Sequence, residues 1–172
     1  VVATALAVPY ATGLWDPTAT AEYPNIPDDT WQAVTHIPDS TGLDTLVWDF
    51  AEGDGVMYVA GSFAEVREGG GKATTSQPYL AAFDLETGDW MRSFRPKLDG
   101  TVYTIEVAAN GSRLYAGGEF SGGLTALNPV TGAVDTSFEA TVAGSGLPLV
   151  QDIELSGNDL YIGGAFSSLR DG

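Results

Sequence analysis

Three stretches of this chain repeat one another, and that repetition limits the fold more than any other feature. They are VWDFAEGDGVMYVAGSF at 47–63, VYTIEVAANGSRLYAGGEF at 102–120 and VQDIELSGNDLYIGGAF at 150–166. Each holds an alternating segment, a polar turn, and a second segment carrying Tyr58, Tyr115 or Tyr161, and each ends on Phe63, Phe120 or Phe166. Alternation with period two reads as a strand with one face buried. The turns are Gly53–Asp54–Gly55, Asn110–Gly111 and Gly157–Asn158–Asp159. Gly, Asn and Asp tolerate the positive φ that tight hairpins demand.

A second pair of matching segments follows the first two, YLAAFDLETGDWMRSF at 79–94 and GLTALNPVTGAVDTSF at 123–138. Leu80 matches Leu124, Thr87–Gly88 matches Thr131–Gly132 and Phe94 matches Phe138, all at an offset of 44. Each reads as strand, Asp/Asn-x-x-Thr-Gly turn, strand. Phe63 and Phe120 lie 57 apart, so the first unit carries an insertion of 57 − 44 = 13 residues within Ala64 to Pro78. This stretch is polar and holds Gly69–Gly70–Gly71, which predicts a surface loop. One unit is then four short strands in about 45 to 57 residues, the size of a single propeller blade.

The expected fold is all-β: a partial β-propeller of four-stranded antiparallel blades, with about two full blades and a half-blade at each end. The divisions are an irregular segment at 1–43, a blade at 44–100 with its loop at 64–78, a blade at 101–149, and the first half of a further blade at 150–172. Within 1–43, Trp15–Asp16–Pro17 resembles Leu127–Asn128–Pro129, and Thr30–Trp31 stands where Ser137–Phe138 would. After Phe166 the residues Leu169, Arg170, Asp171 and Gly172 keep step with Val66, Arg67, Glu68 and Gly69. The third unit therefore enters the same long loop, and the chain is expected to belong to a longer array or to share its open edges with another chain.

LYAGGEF, LTALNPVTGAVDTSF and YLAAFDLETGDW resemble the delta-60 type of β-propeller repeat, found in bacterial secreted and cell-surface proteins. Kelch-like and quinoprotein-like propellers share its Asp-x-x-Thr-Gly turn. The likeness runs over about residues 44 to 172, with Asn128 in place of the usual Asp and Ala60 in place of the first Gly. The resemblance implies a propeller architecture and a surface location. It implies no activity, because propellers host many functions.

Charge narrows the partners. The chain has 23 acidic and 7 basic residues, for a net charge of −16. Such a surface repels phosphate backbones, which argues against nucleic acid. Arg92, Arg95 and Lys97 form the one local basic group and read as a solvated strand edge. There is no cysteine, which excludes thiol catalysis and disulfide staples. Val1–Val8 is apolar but too short to span a bilayer, and it reads equally as the tail of a signal peptide or as a first strand. Its Ala5–Leu6–Ala7 pattern and the missing initiator Met favour export, to the extracellular space, a cell surface or a virion surface.

The chemistry-bearing residues are few. His36 is the only histidine, and in Thr35–His36–Ile37–Pro38–Asp39–Ser40 it reads as a loop residue, since a triad needs groups converging from separate elements. Asp84, Glu86 and Asp89 are the candidate metal ligands, with calcium the cation that such a loop would suit. The second unit has Asn128, Val130 and Ala133 there, so turn chemistry competes with that reading. Asn110–Gly111–Ser112 matches a glycosylation sequon within a hairpin turn. Gly69–Gly70–Gly71–Lys72 lacks the spacing of a phosphate loop.

The repeated Tyr and Phe positions read as packing between repeats. The non-repeated residues carry the functional expectation: Trp15, Tyr23, Trp31 and Trp90, with Glu65, Arg67 and Glu68 on the long loop. No catalytic set stands out. The expected function is a non-catalytic extracellular module that binds protein or glycan through variable loops. The alternatives are a structural subunit of a surface layer, filament or phage tail, and a fragment of a propeller glycan-active enzyme.

Overall fold

The computed structural model describes residues 31–34, 45–69, 74–144 and 146–170. All regular structure among them is β, in five small antiparallel sheets, none closed on itself. Three sheets follow the repeats. The first holds β2 (Val47–Gly53), β3 (Val56–Gly61) and β6 (Leu80–Asp84). The second holds β7 (Thr101–Val107), β8 (Leu114–Glu119) and β9 (Leu124–Leu127). The third is the pair β11 (Leu149–Ser156) and β12 (Asp159–Ala165).

Local turn chemistry builds these sheets as the sequence predicts. Asp54 and Gly55 both take positive φ, 49° and 76°, between β2 and β3. In the Thr-Gly turns Gly88 and Gly132 sit at φ 72° and 73°. Asp84 Oδ1 accepts from the amides of Glu86 and Thr87 and from the Thr87 hydroxyl. Asn128 Oδ1 accepts the same three bonds from Val130 and Thr131. Only one carbonyl-type oxygen is used, so the Asp-to-Asn departure leaves the turn intact.

Two expectations need correction. The fourth strand of each full unit is reduced to a single bridge, Phe83 with Trp90 and Leu127 with Val134. The chain then turns tightly, with the Phe94 amide donating to Met91 O and the Phe138 amide to Asp135 O. That turn folds Phe94 onto Tyr58 and Phe138 onto Tyr115, each pair of rings 5.5 Å apart. Burying an aromatic ring outweighs one or two more ladder bonds.

The stretch at 64–78 is also more than a surface loop. It contains β4 (Glu65–Glu68) and β5 (Thr74–Ser76), and β4 pairs with β1 (Trp31–Ala33) to make a fourth sheet. Val66 and Gln77 are buried there. A fifth sheet pairs β10 (Thr141–Ala143) with β13 (Ser168–Arg170). Leu169 and Arg170 thus hold the places of Val66 and Arg67, each paired with a strand that precedes its own unit.

The repeat sheets stack in chain order, β7 against β2 and β3 on one side and β11 against β7 and β8 on the other. One apolar cluster lies between the first and second sheets, around Tyr58, Leu80, Phe94, Ile105, Leu114 and Phe120. Another lies between the second and third, around Leu124, Val142, Val150 and Ile153. Each first strand bulges at one position, at Trp48, Tyr103 and Gln151. Among the described residues no helix is long and apolar enough to cross a membrane.

Candidate functional site

Five of the seven candidate binding residues come together where the first repeat sheet meets the β1–β4–β5 sheet. Trp31 opens β1 opposite Glu68, and Gln32 lies opposite Arg67. The amide of Val34, just past β1, donates to Glu65 O at 2.9 Å. Trp90 arrives from the Thr-Gly turn through its bridge to Phe83. The Trp31 and Trp90 rings are 5.2 Å apart at 42°. Both rings are buried, along with Val59, Phe63, Val66 and Phe83. Trp15, Tyr23 and His36 lie outside the described residues.

Two arginines complete the cluster. Arg92 Cζ lies 4.9 Å from the Trp31 ring centre and 5.0 Å from that of Trp90. Arg95 Cζ lies 4.6 Å from the Trp90 ring. Each exposed cation–π contact of this kind contributes about 0.5–1 kcal/mol. Arg95 is also anchored. Its Nη1 donates to Ser76 O and to Gln77 Oε1, both at 2.9 Å. Gln77, itself buried, donates from Nε2 to Leu80 O at 2.7 Å. The Arg95 amide donates to Thr131 O at 2.8 Å, tying the second Thr-Gly turn to this edge.

The site therefore presents guanidinium groups on a buried aromatic floor. The indoles are not open platforms for a sugar ring. Trp90 Nε1 and Arg67 Nε are buried without a hydrogen-bond partner among the described residues. Arg92 and Arg95 are exposed, and they offer forked donors suited to carboxylate or sulfate.

The sequence predicts a solvated place for these arginines; they are exposed, and they also cap the two tryptophans. A signal was present. At the offset of 44 the second unit has Val134, Thr136 and Glu139 where the first has Trp90, Arg92 and Arg95. All three depart from the repeat together.

The acidic candidates behave differently. Asp84 Oδ1 is occupied by its turn, and these hydrogen bonds, from the Thr87 amide above all, hold its carboxyl below the ordinary range. Among the described residues no three carboxylate or imidazole groups stand close enough to hold a metal ion. A depressed carboxyl stabilises above its unfolded pKa, and that contribution disappears as pH falls through the folded value. Asp84→Asn, which copies Asn128, gives up the charged acceptor and is therefore expected to lower the melting temperature slightly at neutral pH. It should make the loss of stability below about pH 4 less steep. Thermal melts across that range check this, and parallel acid limbs for the two proteins would refute it.

Comparison with protein-family models, with curated proteins and with solved structures finds no match.

Proposed function

We propose that this chain is a non-catalytic interaction module of a secreted or cell-surface protein, built on propeller-type repeats. It binds a protein or glycan partner through the elements that break the repeat. One observation carries the reading: Trp31, Trp90, Arg92 and Arg95, all non-repeated, meet the β4–β5 hairpin at one edge. Residues that only hold repeats together recur in every repeat, whereas functional ones vary. The exposed guanidinium groups select for acidic groups on the partner, a carboxylate or sulfate on a glycan or an acidic peptide segment. In a chain of net charge −16, this basic edge also orients an acidic partner away from the rest of the surface.

The test is binding to an array of carboxylated, sulfated and neutral glycans, alongside acidic peptides. We expect binding to at least one acidic class. Arg92→Ala should weaken it by about tenfold or more, the value of one charge-assisted hydrogen bond. Arg92 is the better probe because Arg95 also supports Gln77. Binding that ignores Arg92→Ala, or no binding to any acidic class, would overturn the proposal.

A further inference from the structure

The sequence has four asparagines, Asn25, Asn110, Asn128 and Asn158, followed by isoleucine, glycine, proline and aspartate. The following residue matters, because its backbone nitrogen can attack the asparagine's own side-chain carbonyl carbon. Proline has no N–H to lose, and a side chain hinders the approach. Glycine presents neither obstacle. Asn110, before Gly111, therefore has the most reactive neighbour, and it is exposed at the tip of the β7–β8 hairpin. It belongs to the middle repeat, whose first strand packs against a repeat sheet on either side.

The folded turn ties up both reacting groups. The Gly111 amide donates to Ala108 O at 2.7 Å, and the Ala108 amide donates to Arg113 O at 2.9 Å. Asn110 Oδ1 accepts from the Ser112 amide at 3.0 Å. Gly111 is fixed at φ 67°. The turn is also braced from the preceding repeat. A Cβ on Gly111 would collide with Asp54 Oδ2, so the carboxylate of the first hairpin turn lies against the backbone at Gly111. Val107, at the end of β7, lies in the same way against Gly53. A carboxylate beside Gly111 disfavours loss of the proton from its nitrogen, since a second negative charge would form there.

We propose that Asn110 is a site of spontaneous deamidation that the β7–β8 turn holds off, so that the reaction proceeds from the opened turn. There the Gly111 nitrogen gives its proton to solvent base and bonds to Asn110 Cγ. The Cγ–Nδ2 bond breaks, ammonia leaves, and a cyclic succinimide forms. Water then opens one of its two carbonyls, which leaves aspartate or isoaspartate at 110. Aspartate keeps the backbone length, and its Oδ1 can still accept from the Ser112 amide. Isoaspartate adds a methylene to the backbone between 110 and 111, which puts the Gly111–Ala108 bond out of register. The turn thus guards the site while it is closed, and isoaspartate prevents it from closing again. This site does not depend on the function proposed for the arginine edge.

The test incubates the whole chain at mildly alkaline pH, native in buffer and unfolded in guanidinium chloride. Proteolytic digestion and peptide mass measurement follow the exchange of amide for acid at Asn110. A synthetic peptide of residues 108–113, with and without denaturant, corrects for the solvent. We expect the unfolded chain to react about tenfold faster or more, the factor that one or two turn hydrogen bonds supply. In chains aged until both products are present, the isoaspartate form should unfold at lower denaturant than the aspartate form. Equal corrected rates in the native and unfolded chain overturn the proposal. So does an unfolded chain in which Asn110 does not react, or an isoaspartate form as stable as the aspartate form.

Discussion

Gly118→Ala is expected to cost about 3 kcal/mol or more, whereas Gly163→Ala, one residue earlier in the equivalent motif, should stay within about 0.5 kcal/mol. A Cβ at Gly118 would strike Thr101 O closer than any real Cβ contact, with Val102 Cα and Phe120 Cδ1 both at 3.0 Å. The same collision recurs at Gly61 with Leu46 O and at Gly164 with Leu149 O. The second glycine of each repeat is thus required by a backbone carbonyl at, or just before, the start of the first strand. At Gly163 a Cβ meets only Asp152 Cβ, at 3.7 Å, which is ordinary contact. Ala60 already occupies that position in the first unit. Urea unfolding of both variants measures the difference, and equal costs would refute this account of the motif.

Phe94→Ala is expected to cost about 3–5 kcal/mol, and Phe138→Ala about half as much. The two residues end the same repeat segment and stack on equivalent tyrosines at the same 5.5 Å. Their surroundings differ. Phe94 is fully buried between the first and second sheets. Phe138 is partly buried beside the third sheet. Tyr58, beneath Phe94, also donates its hydroxyl to Pro129 O at 3.0 Å, which ties the first sheet to the second Thr-Gly turn. Removing Phe94 leaves a cavity among atoms held on every side; removing Phe138 leaves a gap that neighbouring groups and water can fill. Unfolding curves for the two alanine variants read this directly, and a larger loss for Phe138→Ala would show that the second junction is the tighter one.

Some of the fold was plain in the residues. The repeats, the hairpin turns and the Thr-Gly turns depend on contacts within a few residues, and Asp84 and Asn128 each announce their turn by type and spacing. The β1–β4 pairing was not legible. Strands of three and four residues are too short to show a period, and Trp31 and Glu68 meet only in the folded chain. The same holds at the candidate site. Trp31 and Trp90 stand out in the sequence because they break the repeat. That they stack, and that Arg92 and Arg95 cap them, depends on two distant segments converging.

The repeated positions show most clearly where the division falls. The amino-acid sequence alone determined the all-β character, the number of repeats and the residue type at each repeated place, because turn conformation and strand alternation are short-range effects. Tertiary structure alone decided what each place does. Tyr58 is buried and Tyr161 exposed, although both stand at the same point of the same motif. Asp49 holds a neighbouring amide, while Asp152, its counterpart, faces solvent. Burial and hydrogen bonding between sheets depend on which surface lies opposite, and a repeating sequence cannot state that for its own first and last members.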